Sequence, residues 1–440
     1  MKSMKKVMAG TLTATLALSM AACGGNENGN GGGSEGASGK TTLEVWAWEP
    51  TLSDVAEAFE EKNPDITINI TNVGTATDQY TSLNNALSAG SGAPDIAQVE
   101  YYAVAQYAIS NSLMDLSEFG AAEYGDFYTP GTWSSVSING GVYGLPMDSG
   151  PMALFYNKEV FDRAGVTEPP TTMEEYYEAA KKIRSLGPDY YITCDSGEPA
   201  PEELMMWVAG GTPFQVDGEN LTINLTGDEG VQQVVEWWQR MVDEDLIDTH
   251  TPRWSDDWSR KLNDGTCASL TIGAWMASMF DDNAPNTVGK WRAAATPVFD
   301  ESDPSNGEDG GSTLGIMASS DKAEAAWKFI DFAAHSEEGI DIRVDQGQFP
   351  ADNATLESPE FLEITNEYFG DQKYNEVLSE SAAAVSTDWQ FLPYDVYARS
   401  IFGNSFGPAA LGEATFADAV AAWEQDLIEY GKQQGYTVNE

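Results

Sequence analysis

Histidine, cysteine and positive charge are all scarce in this 440-residue chain, and each shortage excludes something. There are only two histidines, His250 and His335, and three cysteines, with no C-x-x-C spacing and no D-x-D-x-D-G loop. A histidine-based metal site or a Ser-His-Asp triad therefore has no support, and no metal or cofactor is expected. Lysine and arginine number 22 against 70 aspartates and glutamates, a formal charge of −48. Proteins that track phosphate need a basic face, so a nucleic-acid partner is excluded and an anionic ligand disfavoured. A neutral or cationic ligand fits, although a plainly acidic, soluble surface accounts for the charge equally well. The apolar run from Val7 to Ala22 is too short for a stable membrane span.

That run nevertheless carries information. Lys2, Lys5 and Lys6 precede it, and Ala21-Ala22 lead directly into Cys23. Small residues before the cut and a thiol at the new N-terminus resemble a bacterial lipoprotein signal. Met20 departs from the motif, which usually has Leu, Val or Ile there, and an ordinary signal peptide cut elsewhere is the alternative. Residues 1–22 are read as the signal, Cys23 as the lipidation site, and 23–40 as a flexible tether of Gly, Asn, Ser and Glu. Such a tether reaches roughly 20–25 Å, and two acyl chains anchor a protein stably. The expected location is the extracytoplasmic face of the cell membrane. Cys194 and Cys267 are then the only remaining pair, in a compartment that permits a disulfide.

About 400 residues remain, enough for two domains. Leu43 to Trp48 alternates as a strand, Thr51 caps a helix with Leu52, Val55, Ala56 and Phe59 on one face, and Ile66, Ile68 and Ile70 alternate again. This strand–helix–strand opening predicts an α/β layer. Gly92 to Val99 reads as a turn and a buried strand, and Thr171 to Glu174 as a capping box. Apolar stripes at helical spacing assign Trp238, Trp327 and Trp423 to packing. Aromatics and carboxylates off those stripes cluster at strand ends and turns: Trp48-Glu49, Glu100-Tyr101-Tyr102, Asp148, Trp207 and Trp275. Ligands of open α/β sheets bind beyond the carboxyl ends of strands. Flat rings stack on the C–H faces of sugars while carboxylates accept hydrogen bonds from hydroxyls, so this set suits a neutral polyol.

The order and spacing of several strings resemble the extracellular solute-binding proteins of ABC importers, in the branch that includes maltose-binding protein. They are Leu-Glu-Val-Trp-Ala-Trp-Glu-Pro at 43–50, Ala-Phe-Glu-Glu-Lys-Asn-Pro-Asp-Ile at 58–66 and Gly-Ala-Pro-Asp-Ile at 92–96. Further along come Gly-Val-Tyr-Gly-Leu-Pro-Met-Asp at 141–148, Asn-Asp-Gly-Thr-Cys-Ala-Ser-Leu-Thr-Ile-Gly-Ala-Trp at 263–275 and Ala-Ala-Trp-Lys-Phe-Ile-Asp-Phe-Ala at 325–333. The resemblance implies a two-lobe, type II periplasmic-binding-protein-like α/β fold with the ligand between lobes. It implies lobe 1 from 41–150 and 301–350, lobe 2 from 151–300 and 351–440, and crossings near Met147–Pro151, Pro297–Gly311 and Phe349–Ala351. Carried over by position, it adds Gly311, Trp389 and Tyr394 to the candidate ligand contacts.

The expected function is a monomeric, non-catalytic receptor that binds a carbohydrate, an oligosaccharide, and delivers it to ABC permease subunits. Two alternatives are a secreted glycoside hydrolase pairing Asp148 with Glu49 or Glu100, and a polyamine receptor using cation–π contacts. The anchor is directly testable: Cys23→Ala is expected to move the protein from the membrane fraction into the medium or periplasm with ligand affinity unchanged. Retention of the mutant on membranes, measured by fractionation and immunoblot, would reject the anchor.

Overall fold

The structure, a computed structural model, describes residues 40–302 and 304–439. The signal, Cys23 and the tether up to Gly39 lie outside the described residues.

The alternating segment at the start forms a strand, Thr41–Trp46, with Leu43 and Val45 fully buried. It pairs in parallel with Ile66–Thr71 on one side and Ile96–Glu100 on the other. The helix between the first two strands, Leu52–Lys62, turns Leu52, Val55, Ala56 and Phe59 inward, as its spacing predicts. Thr51 does not cap it through its side chain; instead Glu49 Oε1 accepts the Thr51 N–H at 3.2 Å. Ser312–Ile316, from far down the chain, adds antiparallel to Ile96–Glu100, and Leu145–Pro146 closes the five-stranded sheet.

A second sheet centres on Met152–Asn157, antiparallel to Ser269–Gly273 and to Trp291–Ala295. Helices Met173–Arg184, Glu229–Asp243, Asp395–Ala410 and Phe416–Gln434 contribute to the neighbouring core. The capping box sits one residue later than the sequence suggested: Thr172 accepts from Glu175 N–H, and Glu175 accepts from Thr171 N–H and Oγ1. Trp238 and Trp423 are buried in that core, while Trp327 is partly exposed and stacks on Phe119 at 5.6 Å.

Apolar burial divides along the same lines. One core draws its buried residues from 43–147 and 314–351, a second from 152–268 and 385–428, a third from 153–382, and a fourth from 80–113 with Met317. Cys194 and Cys267 are buried free thiols, so the disulfide admitted by the sequence is not formed. Burial raises the Cys194 thiol well above its usual range, and the neighbouring Cys267 thiol adds to this.

Three segments pass side by side between the two sheets. Met147 N–H donates to Ser312 O at 2.8 Å, Ser149 N–H to Phe349 O at 3.2 Å, and Asp309 N–H to Gly150 O at 2.7 Å. Asn306 Nδ2 donates to Met152 O and Ser381 O, so the approach to the second crossing is bonded to the second sheet and its helices. Glu308, 3% exposed, accepts from Ser149 Oγ at 2.7 Å and Gly150 N–H at 2.6 Å. Burial, with the charges of Asp148 and Asp309 adding to it, pushes its carboxyl up to about 7 despite those hydrogen bonds.

An acid whose folded pKa exceeds its unfolded value of about 4.3 binds more protons when folded, so it lowers stability as pH rises. The penalty is absent below about 4.3, grows towards 7 and is constant above. Glu308→Gln keeps the acceptor oxygen without the charge. The variant is expected to melt above wild type at pH 8 and to match it near pH 4.5, by calorimetric scans at both. Equal melting at pH 8 would show that Glu308 carries no buried-charge penalty.

Candidate functional site

The strand ends at the crossings bring together residues from both sheets. Ile96–Glu100 runs directly into helix Tyr101–Ile109, which places Glu100 at the helix N-terminus. Tyr101 is 2% exposed, and its hydroxyl donates to Asp148 O at 2.6 Å. It lies beneath Gly310-Gly311, whose φ angles of 74° and 75° belong to the left-handed region. A Cβ on Gly311 would come within 2.5 Å of the Tyr101 ring, so only glycine fits there.

Asp148 Oδ1 accepts from Ser312 N–H at 2.6 Å and Ser312 Oγ at 2.8 Å, and Oδ2 accepts from Gln348 Nε2 at 3.3 Å. Gln348 in turn accepts from Arg343 Nη1 at 2.8 Å, and the same nitrogen donates to Met147 O. Burial first, then the Glu49 charge, raises the Asp148 carboxyl to about 6; the Ser312 bonds and Arg343 oppose this. Asp148 is thus engaged by the crossing segments. Glu49 is partly buried close by, and its N–H and that of Trp48 both donate to Gln98 Oε1, at 3.1 and 3.0 Å. Gln98, unremarked in the sequence, also donates to Ser312 Oγ at 2.9 Å.

Trp275 comes from the second sheet. It follows Ser269–Gly273, is partly exposed, and its indole N–H donates to Asp309 O at 2.6 Å. A Cβ built on Gly310 would lie 3.3 Å from Trp275 Nε1 and 3.9 Å from Glu100 Oε1. The aromatic ring of one half and the carboxylate of the other therefore converge on the same glycine.

Beside them lies a buried charge cluster that the sequence did not reveal. Arg399, on helix Asp395–Ala410, meets Glu203 at 3.0 Å and Asp395 at 3.2 Å, and both carboxylates are fully buried. Its guanidinium sits 4.0 Å from the centre of the Tyr102 ring. Burial raises the Asp395 carboxyl well above its usual range, and the Glu203 charge adds to this. Burial also raises Glu100 and Asp309, with Arg399 opposing both shifts. One signal was available in the sequence, since Arg399 is the only arginine after Arg343. Asp309 lay in the stretch Pro297–Gly311, read only as a crossing.

Three expected contacts are not brought to this cluster. Tyr394 is 4% exposed; its hydroxyl donates to Leu427 O at 3.0 Å, and Tyr430 and Tyr436 pack against its ring. Trp207 and Trp389 are 2% and 6% exposed and stack on each other at 5.5 Å, so neither offers a free face. They are core residues, and the reading of them as platforms is corrected. The remaining candidates, Trp48, Glu49, Glu100, Tyr101, Tyr102, Asp148, Trp275 and Gly311, all lie at or against the crossings and the strand ends. Among the described residues, no group of histidine, cysteine or carboxylate side chains could hold a metal ion.

The sequence pattern of the bacterial extracellular solute-binding proteins matches residues 47–340. The chain belongs to this family. A solved binding protein associated with an ABC transporter of B. animalis subsp. lactis, in complex with β-1,6-galactobiose, is 49% identical to this solute-binding protein. The two superpose with a TM-score of 0.82 over 91% of this chain and 100% of the other. A lactose-binding protein of Rhizobium radiobacter is 26% identical over 68% of each chain. An arabinooligosaccharide-binding protein of Bacillus subtilis is 26% identical over 70% of this chain and 72% of its own. The solute-binding protein has the two-lobe, type II fold of periplasmic binding proteins, and it is a binding protein and not an enzyme. No described helix is long and apolar enough to cross a membrane.

The charge cluster yields a stability prediction. Removing the cation from a buried ion pair typically costs about 3–5 kcal/mol, because the carboxylates stay buried without compensation. Arg399→Met is expected to lose stability of that order at pH 7. Without Arg399 the carboxyl pKa values rise further above their unfolded values of about 4, so the loss fades as acid protonates them. Denaturant melts at pH 7 and pH 4.5 measure both effects, and an equal loss at the two pH values would contradict this account.

Proposed function

We propose that the chain is an extracytoplasmic receptor that binds a neutral oligosaccharide between two lobes, closes on it and passes it to an ABC permease. The observation that carries this reading is the convergence of Trp275 and Glu100 on Gly310: a flat ring for a sugar face beside a carboxylate for its hydroxyls. The B. animalis relative, bound to β-1,6-galactobiose, and the lactose-binding relative make β-linked galactosides the first ligands to test. Lobe 1 comprises 41–150 and 301–350 and lobe 2 151–300 and 351–440, supported by the separation of the cores. The receptor is a monomer tethered through lipid on Cys23. A polyamine ligand is less well supported, because Arg399 already occupies the cation's place among the buried carboxylates. A hydrolase pair on Asp148 is opposed by the hydrogen bonds that hold both of its oxygens.

Calorimetry of the mature protein against β-1,6-galactobiose, lactose, galactose and spermidine tests the reading. Heat with a galactoside and none with spermidine is expected; the reverse would overturn it. Stacking a ring on an aromatic is worth about 1–3 kcal/mol, so Trp275→Ala should weaken binding roughly 5- to 150-fold. It should also cost less stability than Trp238→Ala, a core truncation. Near-normal affinity with a large drop in melting temperature would assign Trp275 to the core.

A further inference from the structure

Trp254 has no role in anything described above, and its setting is unusual. Among the described residues it is the one tryptophan with large exposure, 51%. It also adopts φ 65°, the left-handed region that bulky residues rarely enter. Glycine or asparagine would take that conformation at little cost. The turn is held firmly: Ser255 Oγ donates to Pro252 O at 2.7 Å and accepts Trp258 N–H at 3.2 Å, capping helix Asp256–Asp264. Backbone strain at an exposed, firmly held aromatic points towards use of the ring.

The ring's neighbours say where that use lies. Trp254 rests on the fully buried Trp258 at 5.0 Å between centroids, and stacks on Trp275 at 5.8 Å with 29° between planes. Rings in contact lie about 3.5–4 Å apart, so the two are displaced sideways by roughly 4–5 Å. They form a stepped aromatic surface in which Trp275 is the inner tread, beside Gly310 and Glu100, and Trp254 the outer, exposed one. Arg253, next in the chain, offsets the burial of Asp309, whose carbonyl oxygen holds the Trp275 indole.

We propose that Trp254 is a second platform of the ligand site, taking the outer ring of an oligosaccharide whose inner ring lies on Trp275. The proposal rests on the carbohydrate reading above and extends it: the site spans at least two sugar rings, and the outer one is recognised chiefly by its apolar face.

Titration calorimetry with β-1,6-galactobiose as the probe, on wild type, Trp254→Ala, Trp254→Phe and Trp254→Gly, tests it. Trp254→Ala and Trp254→Gly should bind the disaccharide about 5- to 150-fold more weakly, while Trp254→Phe, which keeps a ring, should recover most of the affinity. Melting temperatures of the alanine and glycine variants should lie close to wild type, with glycine above alanine, because the half-exposed ring makes only two ring contacts among the described residues and glycine relieves the strain. Disaccharide affinity of Trp254→Ala within twofold of wild type overturns the proposal. So does weakened binding accompanied by a clearly lower melting temperature, which would make Trp254 a brace for Trp275 and not a platform. Absence of binding to every galactoside by wild type itself would instead overturn the carbohydrate reading on which the proposal stands.

Discussion

Carboxylates buried where three chain segments cross are the constraint on which the rest of the structure depends. Glu308 binds Ser149 and Gly150 of the first crossing from the second, and Asp148 binds Ser312 of the second from the first. Arg343 and Gln348 bring in the third, through Met147 and Asp148. An unpaired polar group at this depth would be costly, so every bond that satisfies one of these side chains also fixes the path of a neighbouring segment. The double glycine at 310–311 is required by the same crowding, since the second crossing must pass over the Tyr101 ring. A set of crossings of this kind is where a two-lobed molecule bends.

A strongly acidic chain must also manage negative charge inside. Glu100, Glu203, Asp309 and Asp395 are all pushed towards their neutral forms by burial, and Arg399 faces them. Arg399 belongs to a helix of the second core, yet its guanidinium lies against Tyr102, on a helix that follows Glu100 in the first sheet. The cation therefore joins the two halves as well as compensating its own helix. Separating them would expose Tyr102 and weaken the field that offsets the burial of Glu100, so the relative position of the halves and the protonation of the site are physically linked.

Much of the fold was legible because it rests on local periodicity. The alternation at 43–48 and 66–70, and the helical stripes containing Trp238 and Trp423, required only residues a few positions apart, and the structure follows them. Trp275 stood out as a candidate for a different reason: it closely follows a glycine at the end of an apolar strand, where a ring has no helical face to join. The errors and omissions concern pairings across long stretches of chain. Trp207 and Trp389 each lie outside an amphipathic stripe, as a platform would, but nothing near either shows that they bury each other. Tyr394 looked available until Leu427 supplied its hydroxyl with a partner. Arg399 and Asp309 acquire meaning only once Glu203, Glu100 and Trp275 are beside them. Trp254 was hidden because its evidence is a backbone angle and an exposure, neither of which is a property of sequence.

On the proposed reading the site is also asymmetric in a way that bears on signalling. The stepped pair Trp275 and Trp254 belongs to the second sheet and the loop and helix beside it, whereas Glu100 and Glu49, with Trp48 beside them, extend from the first. Aromatic faces attract any exposed sugar ring with modest selectivity, and carboxylates select among hydroxyl arrangements by hydrogen bonding. Neither surface alone satisfies both the faces and the edges of a sugar, so on the carbohydrate reading full binding energy is available only when the halves meet around the ligand. A ligand shifts a conformational equilibrium only by its difference in affinity for the two states. Dividing the contacts between two halves would create that difference, and on this reading it makes the closed form a physical report that the site is filled.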